Sequence, residues 1–424
     1  MRRARLLPAL VLALAATAGA CQLLVGIGED RFSYTPDAGP PPDTGPADLC
    51  PHARPPTLPD VPDDGEKLTF AIAGREIGLL RQATSGEAIG FDLDESCTCD
   101  PRQPSQTPSC TLPREPVRDG GCDDDGGIDN ALLAGLEDPR IAIITNTLVG
   151  GSLQTNLECG RQTLLLVILN YNGRRDDPSV DIATLLSGGI RDSHAGGDPV
   201  PLEKCGGGYG DGGDLRMPRW DKSDLWSVRE VDVNRPPGSD VVIPGKTTRG
   251  WVSNWMLSVD GHDTGATVPL VVGQELVTVA SPRFNAKLIP VDAEGKDMPI
   301  DAAGRTATTP AAFRVEDALL SGRARATDVV SAIGRIKLGG GPNDFLCTDP
   351  AGVFTKFRTV MCNAVDLPSL AERDKKGDRC DALSLALRFS GSPASIGTTP
   401  SPASLVTTDA GCGQGYQATC DDVW

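Results

Sequence analysis

Apolar residues along this chain come in short runs separated by Gly, Pro, Asn and Asp, and this spacing favours strands over helices. Leu68 to Ile72 is one such run. Thr163 to Tyr171 is nearly all apolar, and Asn172-Gly173 follows it as a turn pair, so this run predicts a central strand packed on both faces. From Leu383 to Phe389 every second residue is large and apolar, which predicts a half-buried strand with four large side chains on one face.

Two further runs, Trp251 to Leu257 and Leu276 to Val279, also predict strands, and one segment predicts a helix. Thr327 can act as its N-cap, Asp328 suits the positive end of the helix dipole, and Gly339-Gly340-Gly341 ends the segment. The apolar residues that share a helical face are Val329, Val330, Ile333 and Ile336. The pattern therefore predicts a mainly β chain, an antiparallel β-sandwich of jelly-roll or lectin-like type with long loops and few short helices.

The N-terminus predicts export. Arg2, Arg3 and Arg5 precede a short apolar stretch, Leu6 to Ala20, which is too short to span a membrane and matches a signal peptide over residues 1–20. Small residues directly before Cys21 suit lipoprotein processing, in which the thiol is acylated and becomes the mature N-terminus. Ordinary cleavage that leaves Cys21 for a disulfide remains the alternative, since Ala18 stands where Leu is usual.

Residues 21–66 predict a lipidated cysteine followed by a disordered tether. The stretch from Tyr34 to Gly65 is rich in Pro, Asp and Gly and cannot bury enough apolar surface to offset the entropy of ordering. Gln22 follows the lipidated position where Asp would favour retention in the inner membrane. We therefore expect a cell-envelope protein attached to the outer membrane by its N-terminal lipid, either periplasmic or surface-exposed.

The cysteine count supports an oxidising compartment. The chain has thirteen cysteines, so lipidation of Cys21 leaves an even number for disulfides. No CxxC pair occurs, which argues against a zinc site. Crowding at 97–122 and at 347–420 predicts two locally stapled regions. The disulfide candidates are Cys50, Cys97, Cys99, Cys110, Cys122, Cys159, Cys205, Cys347, Cys362, Cys380, Cys412 and Cys420.

Residues 67–424 form the predicted β-rich body, either as one unit or with a C-terminal subdomain from about residue 315. The whole chain has a formal net charge of −17, so the body is expected to be acidic. Binding to nucleic acid or adsorption to an anionic lipid surface requires positive potential, so neither is expected.

Several segments of the chain are similar to a family of predicted surface lipoproteins from myxobacteria. The segments are "AGACQLL", "PDAGPPPD", "GFDLDESCTC" (Gly90 to Cys99), "GGIDNALL" (Gly126 to Leu133), "LNYNGRRDDPSVDI" (Leu169 to Ile182) and "CDALSLALRF" (Cys380 to Phe389). The resemblance extends over most of the chain and implies envelope location. It brings no catalytic or binding residues, because that family is uncharacterised.

An acidic region around the first cysteines is the best candidate binding site. Calcium takes six to eight hard oxygen ligands, which flexible Asp- and Gly-rich loops supply. The candidate ligands are Asp92, Asp94, Asp123, Asp125, Asp129 and Asn130. The region is not an EF-hand, because Ile128 and Ala134 occupy the places of the required Gly and Glu. A solvated turn region without an ion is the alternative interpretation.

Trp251 and Trp255 are a second candidate. On one strand the two rings would share a face and could stack on a sugar, although core packing is the more common role of such rings.

Catalytic motifs are weak. The three histidines lie in the tether or in loops, and no GxSxG motif accompanies them. We therefore expect a module that binds a glycan or a surface protein, or one that is purely structural, more readily than an enzyme. An envelope polysaccharide hydrolase with two carboxylates about 5 to 10 Å apart is the alternative.

Overall fold

The apolar runs form strands of one large sheet in the computed structural model of the chain. The structure describes residues 49–78, 89–102, 106–117, 121–141, 151–190, 198–199, 216–235, 242–262, 264–272, 275–336, 345–348, 352–401, 412 and 418–424. The signal peptide, Cys21, Cys205 and residues 22–48 of the tether lie outside this part of the chain.

The described residues confirm the mainly β class with few short helices. The strands are β1 (Leu68–Gly78), β2 (Thr163–Tyr171), β3 (Asp177–Ile190), β4 (Asp198–Pro199), β5 (Arg216–Met217), β6 (Leu225–Val228), β7 (Val233–Asn234), β8 (Ile243–Pro244), β9 (Thr248–Ser253), β10 (Met256–Asp260), β11 (Thr267–Val272), β12 (Glu275–Val291), β13 (Ala312–Arg325) and β14 (Ala382–Ile396). The α-helices are α1 (Ala131–Leu136), α2 (Gly151–Glu158), α3 (Ala326–Gly334) and α4 (Val353–Asn363).

Eight strands pair in a closed order: β2, β1, β14, β13, β12, β10, β9, β3 and back to β2. All eight pairings are antiparallel. β11 forms a hairpin with β12, and β6 pairs with both β14 and β3. The sequence predicts two facing sheets, and the strands here lie in one sheet that returns on itself. Side-chain alternation does not distinguish the two arrangements, because both place one face of each strand on a shared core.

Aromatic contacts cross the interior of this sheet. The ring of Phe313 on β13 lies 4.8 Å from that of Phe70 on β1 and 5.3 Å from that of Tyr171 on β2, measured between centroids. Since β13 and β2 are not neighbours in the sheet, these rings pack across the core. The four large residues of β14 enter the same cluster, which confirms that they share a face: Leu383, Leu385, Leu387 and Phe389.

β2 is buried on both faces, as its sequence predicts. Leu164 and Leu166 belong to the main core, whereas Leu165 and Val167 belong to a second cluster that includes Trp226. The predicted turn after β2 is present: Gly173 adopts a positive φ of 74°, and β3 begins four residues later.

β14 is also buried on both faces, which differs from the half-buried strand that its sequence predicts. Ser384 and Ala386 are 0% and 1% exposed, because another segment of the chain covers them. A Cβ atom added to Gly90 would lie 3.7 Å from the Cβ of Ala386. The small residues of β14 therefore mark the position where a loop packs.

Two predicted boundaries differ in the structure. The described residues before β1 lie on the body: Ala53 N donates to Gly126 O at 2.8 Å, and Trp251 Nε1 donates to Pro56 O at 2.9 Å. The tether therefore does not extend to residue 66. Nor does the chain divide near residue 315, because that position lies within β13, which pairs with β12 on one side and β14 on the other.

The predicted helix is α3, but its ends differ. It begins at Ala326 and ends at Gly334, and the capping position is Arg325, which makes no side-chain cap bond. Thr327 does not cap it because β13 continues directly into the helix and Ala326 N donates to Asp381 O at 3.1 Å. Across the described residues, no helix has the length and apolar character needed to span a membrane.

Candidate functional site

The segment that covers β14 contains alternating apolar and acidic residues. Phe91 and Leu93 are buried with Leu367 in a small apolar cluster. The carboxylates between them fold the backbone back on itself: Glu95 N donates to Asp92 Oδ1 at 2.7 Å, and Ser96 N donates to Asp94 Oδ1 at 2.9 Å. Such side-chain-to-backbone bonds are the usual means by which Asp shapes a turn.

A glycine turn brings the second acidic segment against the first. Gly126 and Gly127 adopt positive φ values of 82° and 69°. A Cβ atom on Gly127 would lie 2.6 Å from Ser96 O and 2.8 Å from Asp92 Oδ2, so only glycine fits there. We call residues 89–99 and 121–130 together the acidic loops.

Three of the predicted calcium ligands converge. One carboxylate oxygen from each of Asp92, Asp94 and Asp129 lies within 4.8 Å of the others. These residues are 0%, 5% and 1% exposed, respectively. Leu93 N donates to Asp129 Oδ2 at 2.6 Å, and His52 Nδ1 bonds Asp92 Oδ2. We call these three carboxylates the acidic cluster.

The other three predicted ligands have different surroundings. Asp123 accepts a hydrogen bond from Thr98 N at 2.7 Å, and Asp125 is exposed. Asn130 is the N-cap of α1: its Oδ1 accepts from Leu133 N at 3.2 Å, while its Nδ2 donates to Ile89 O at 2.9 Å. The Asn130 amide therefore holds the loop to the helix.

Two buried arginines anchor the acidic loops to the sheet. Arg323 donates from Nη2 to Leu93 O at 2.7 Å, and its two Nη atoms each lie 2.6 Å from a carboxylate oxygen of Asp374. Arg283 donates to Asp92 O and contacts Glu95 at 3.2 Å. No motif in the sequence marks these two arginines. The signal that could have found them is a charged residue within a strand.

Burial raises the pKa values of three carboxyl groups in the acidic loops. It raises the pKa of Asp94 to about 7, with the charge of Asp92 adding to the effect, whereas the Ser109 hydroxyl beside Asp94 lowers it. Burial and the charge of Asp94 raise the pKa of Asp123 to about 8, and burial raises the pKa of Asp129 well above its ordinary value. At neutral pH these carboxyl groups are therefore protonated to a large extent, Asp94 less than Asp123, unless a cation compensates their charge.

The two candidate ligand-binding tryptophans do not share a face. Trp251 lies on β9, whereas Trp255 lies in the turn before β10, where Asn254 and Trp255 have positive φ values of 51° and 65°. Trp251 is half-buried and bonded to Pro56. Trp255 is buried, with its ring centroid 6.4 Å from that of Phe313. The predicted strand from 251 to 257 is thus a hairpin.

Disulfides close the loops around the sheet. The pairs within the described residues are Cys50–Cys97, Cys99–Cys122, Cys110–Cys380, Cys347–Cys412 and Cys362–Cys420. Cys159 is disulfide-bonded as well. Two stapled regions are present as predicted, and Cys110–Cys380 joins them over a separation of 270 residues. Cys50 and Cys97 lie beside Asp92, but their sulfurs are bonded to each other and offer no thiolate to a metal.

Comparisons with known proteins add no relative. No protein-family model, no curated protein and no solved structure matches the chain. The geometry of its own residues is therefore the basis for assigning a function.

Proposed function

We propose that the chain is a lipid-anchored protein of the cell envelope that acts as a binding or surface-structural module. The disulfides are the main support for this proposal. Several disulfides fit an extracellular or envelope protein, because thiols stay reduced in the cytosol of most organisms. The N-terminal signal and Cys21 add the expectation of an acyl anchor, and Gln22 adds the expectation of the outer membrane. The resemblance to myxobacterial surface lipoproteins supports the same location.

The attachment of the first described residues refines this proposal. Because Cys50 is bonded to Cys97 and the following residues lie on the body, a tether cannot extend past about residue 49. The ligand we propose for such a module is a glycan or another surface protein.

The acidic cluster favours a module over a polysaccharide hydrolase. A glycosidase needs two carboxyl groups about 5 to 10 Å apart that flank an accessible sugar. The acidic cluster is buried instead, and its carboxylate oxygens lie within 4.8 Å of one another.

Mass spectrometry of the native protein tests the anchor. We expect an N-terminal peptide that begins at Cys21 and carries acyl chains, and we expect Cys21→Ala to shift the protein from the membrane fraction to the soluble fraction. An unmodified Cys21 in membrane-bound protein would refute the anchor.

A glycan array probed with the purified full chain tests binding: retained glycan supports the module, whereas slow release of cleaved glycan supports the hydrolase.

A further inference from the structure

We propose that Asp92, Asp94 and Asp129 bind one calcium ion, with the Ser109 hydroxyl as a fourth protein ligand. This site is separate from the proposed lipid anchor, and it does not depend on the ligand that the module recognises. Its function is to fasten the two acidic loops to each other beneath the surface of the protein.

The spacing of the acidic cluster fits a single ion. Calcium binds oxygen ligands at about 2.3 to 2.6 Å, so two oxygens on opposite sides of one ion lie about 5 Å apart. The three carboxylate oxygens lie within 4.8 Å of one another. One ion placed between them can therefore contact all three without a rearrangement of the backbone.

His52 and Arg323 balance only part of the charge of the three carboxylates in the acidic cluster. His52 Nδ1 bonds Asp92 Oδ2, and the charge of Arg323 lowers the pKa of Asp94 without a direct bond to it. Arg323 directs both Nη atoms to Asp374, and Arg283 contacts Glu95 and Asp260. The bonds to Asp94 and Asp129 from Ser96 N and Leu93 N orient the carboxylates but carry no net charge. Buried carboxyl groups of this kind either hold protons or need a counter-charge, and a divalent cation that displaces the protons supplies that charge.

The buried hydroxyl of Ser109 is evidence for a cation that is independent of the three carboxylates. Its side chain is 1% exposed, and its hydroxyl lies close enough to Asp94 to lower the pKa of that carboxyl, yet its Oγ makes no hydrogen bond of ordinary geometry among the described residues. A buried hydroxyl without a partner costs about 1 to 3 kcal/mol. A hard cation at the acidic cluster satisfies this oxygen, because hydroxyl groups are ligands of the same class as carboxylates.

The donor set selects calcium among the common cations. Zinc prefers nitrogen and sulfur, and the nearby sulfurs of Cys50 and Cys97 are committed to a disulfide. Magnesium demands near-ideal octahedral geometry and usually keeps several waters, which a cluster this deeply buried does not favour. Calcium accepts irregular arrangements of carboxylate and hydroxyl oxygens, and bidentate binding by the three carboxylates together with the Ser109 hydroxyl would give it the six to eight oxygens it needs.

Calorimetric titration of the purified full chain, first freed of metal with EDTA, tests the proposal. We expect one calcium ion per chain with a Kd on the order of 10⁻⁴ to 10⁻³ M, the range of extracellular calcium-binding modules. Calcium should also raise the Tm, and the same concentration of magnesium should not. Asp129→Asn should weaken binding at least tenfold, and Ser109→Ala should weaken it several-fold.

A matched variant and a folding control make the test decisive. Asp125→Asn removes an exposed carboxylate from the same loop, so it should leave the calcium affinity unchanged. Asparagine can still accept the bond from Leu93 N, and circular dichroism of Asp129→Asn in EDTA should therefore match that of the parent. Absence of calcium binding by the parent, unchanged binding by Asp129→Asn, or an equal response to magnesium would each overturn the proposal.

Discussion

The acidic loops and the helical layer, which consists of α3, α4 and residues 418–424, differ in how they are held. Both regions pack against the sheet and both are closed by disulfides: Cys50–Cys97 and Cys99–Cys122 in the first, Cys347–Cys412 and Cys362–Cys420 in the second. Besides its disulfides, the helical layer has a large apolar interface with the sheet. The acidic loops, besides their disulfides, have buried charged groups.

The helical layer is an extension of the core. Val330 and Ile333 of α3 and Phe357 and Val360 of α4 are buried in the same apolar cluster as the sheet interior. Burial of such side chains contributes about 1.5 to 3 kcal/mol each, so this layer has an energy source besides its disulfides.

The acidic loops have little such surface. Apart from Ile89 and the small cluster around Phe91 and Leu93, their interior consists mainly of carboxylates, backbone bonds and the arginines Arg283 and Arg323. Hydrogen bonds and ion pairs are specific in geometry but contribute less net free energy than apolar burial, since both partners lose water. The comparison indicates that the acidic loops depend on covalent links and on charge balance, whereas the helical layer depends on packing.

Phe357→Ala should give the largest loss of stability, about 3 to 5 kcal/mol, because it leaves a cavity in the helical layer. Urea unfolding measures the loss. We expect the same loss at pH 5 and at pH 8, since only apolar contacts are removed. A loss of stability that depends strongly on pH would contradict the conclusion that apolar packing, and not charge balance, holds the helical layer.

Arg323→Ala should cost about 3 kcal/mol, because it removes the bonds to Asp374 and to the Leu93 carbonyl from a buried position. This value is the lower end of the range for a broken buried pair, since the Asp374 side chain stays 11% exposed and keeps some contact with water. Urea unfolding again provides the measurement. Arg102→Ala, which removes an exposed arginine near the acidic loops, should produce no measurable change.

The fold class could be predicted from the sequence because it depends on side-chain alternation. The local patterns of Thr163 to Tyr171 and of Leu383 to Phe389 each predict a strand, and the structure confirms both strands. The closure of the sheet could not be predicted, because it depends on which strands pair at a distance. The covered face of β14 was also missed, since Ser384 and Ala386 suit solvent and close packing equally well.

The candidate site was predictable in part for a similar reason. Asp and Gly at high density indicate turn-forming loops that can bind cations, so Asp92, Asp94 and Asp129 were identified from composition alone. Their convergence depends on Gly127 and on disulfides whose connectivity cannot be deduced from the sequence. The role of Ser109 could not be foreseen, because nothing local distinguishes it from an exposed serine.

In EDTA, the protein should lose stability as the pH rises from about 4 to about 8. Burial, with the charge of Asp94 adding, raises the pKa of Asp123 to about 8 in the folded protein, whereas the unfolded chain titrates near 3.8. The folded state therefore keeps a proton that the unfolded state releases, and the stabilisation present below pH 3.8 disappears as the pH passes through the folded pKa. Asp94 and Asp129 titrate in the same direction.

Asp123→Asn should reduce this pH dependence by about 2 kcal/mol, because one pKa unit corresponds to about 1.4 kcal/mol and part of the shift belongs to the neighbouring carboxyls. Urea unfolding at a series of pH values in EDTA measures the slope. Asp301→Asn, in an exposed turn, should leave the slope unchanged. A slope for Asp123→Asn equal to that of the parent would show that the buried charge lies elsewhere.

Asn130→Ala should give the smallest effect, about 1 to 2 kcal/mol, because it removes the N-cap bond from Leu133 N and the bond from Nδ2 to Ile89 O. Asn130→Asp should recover only the N-cap part of that loss, since a carboxylate can accept from Leu133 N but cannot donate to the Ile89 carbonyl. Calorimetric titration with calcium is the second measurement: Asn130→Ala should keep the calcium affinity of the parent, because Asn130 caps a helix while the neighbouring Asp129 belongs to the acidic cluster. A tenfold loss of calcium affinity in Asn130→Ala would instead place the amide among the ligands and extend the acidic cluster to the end of the loop.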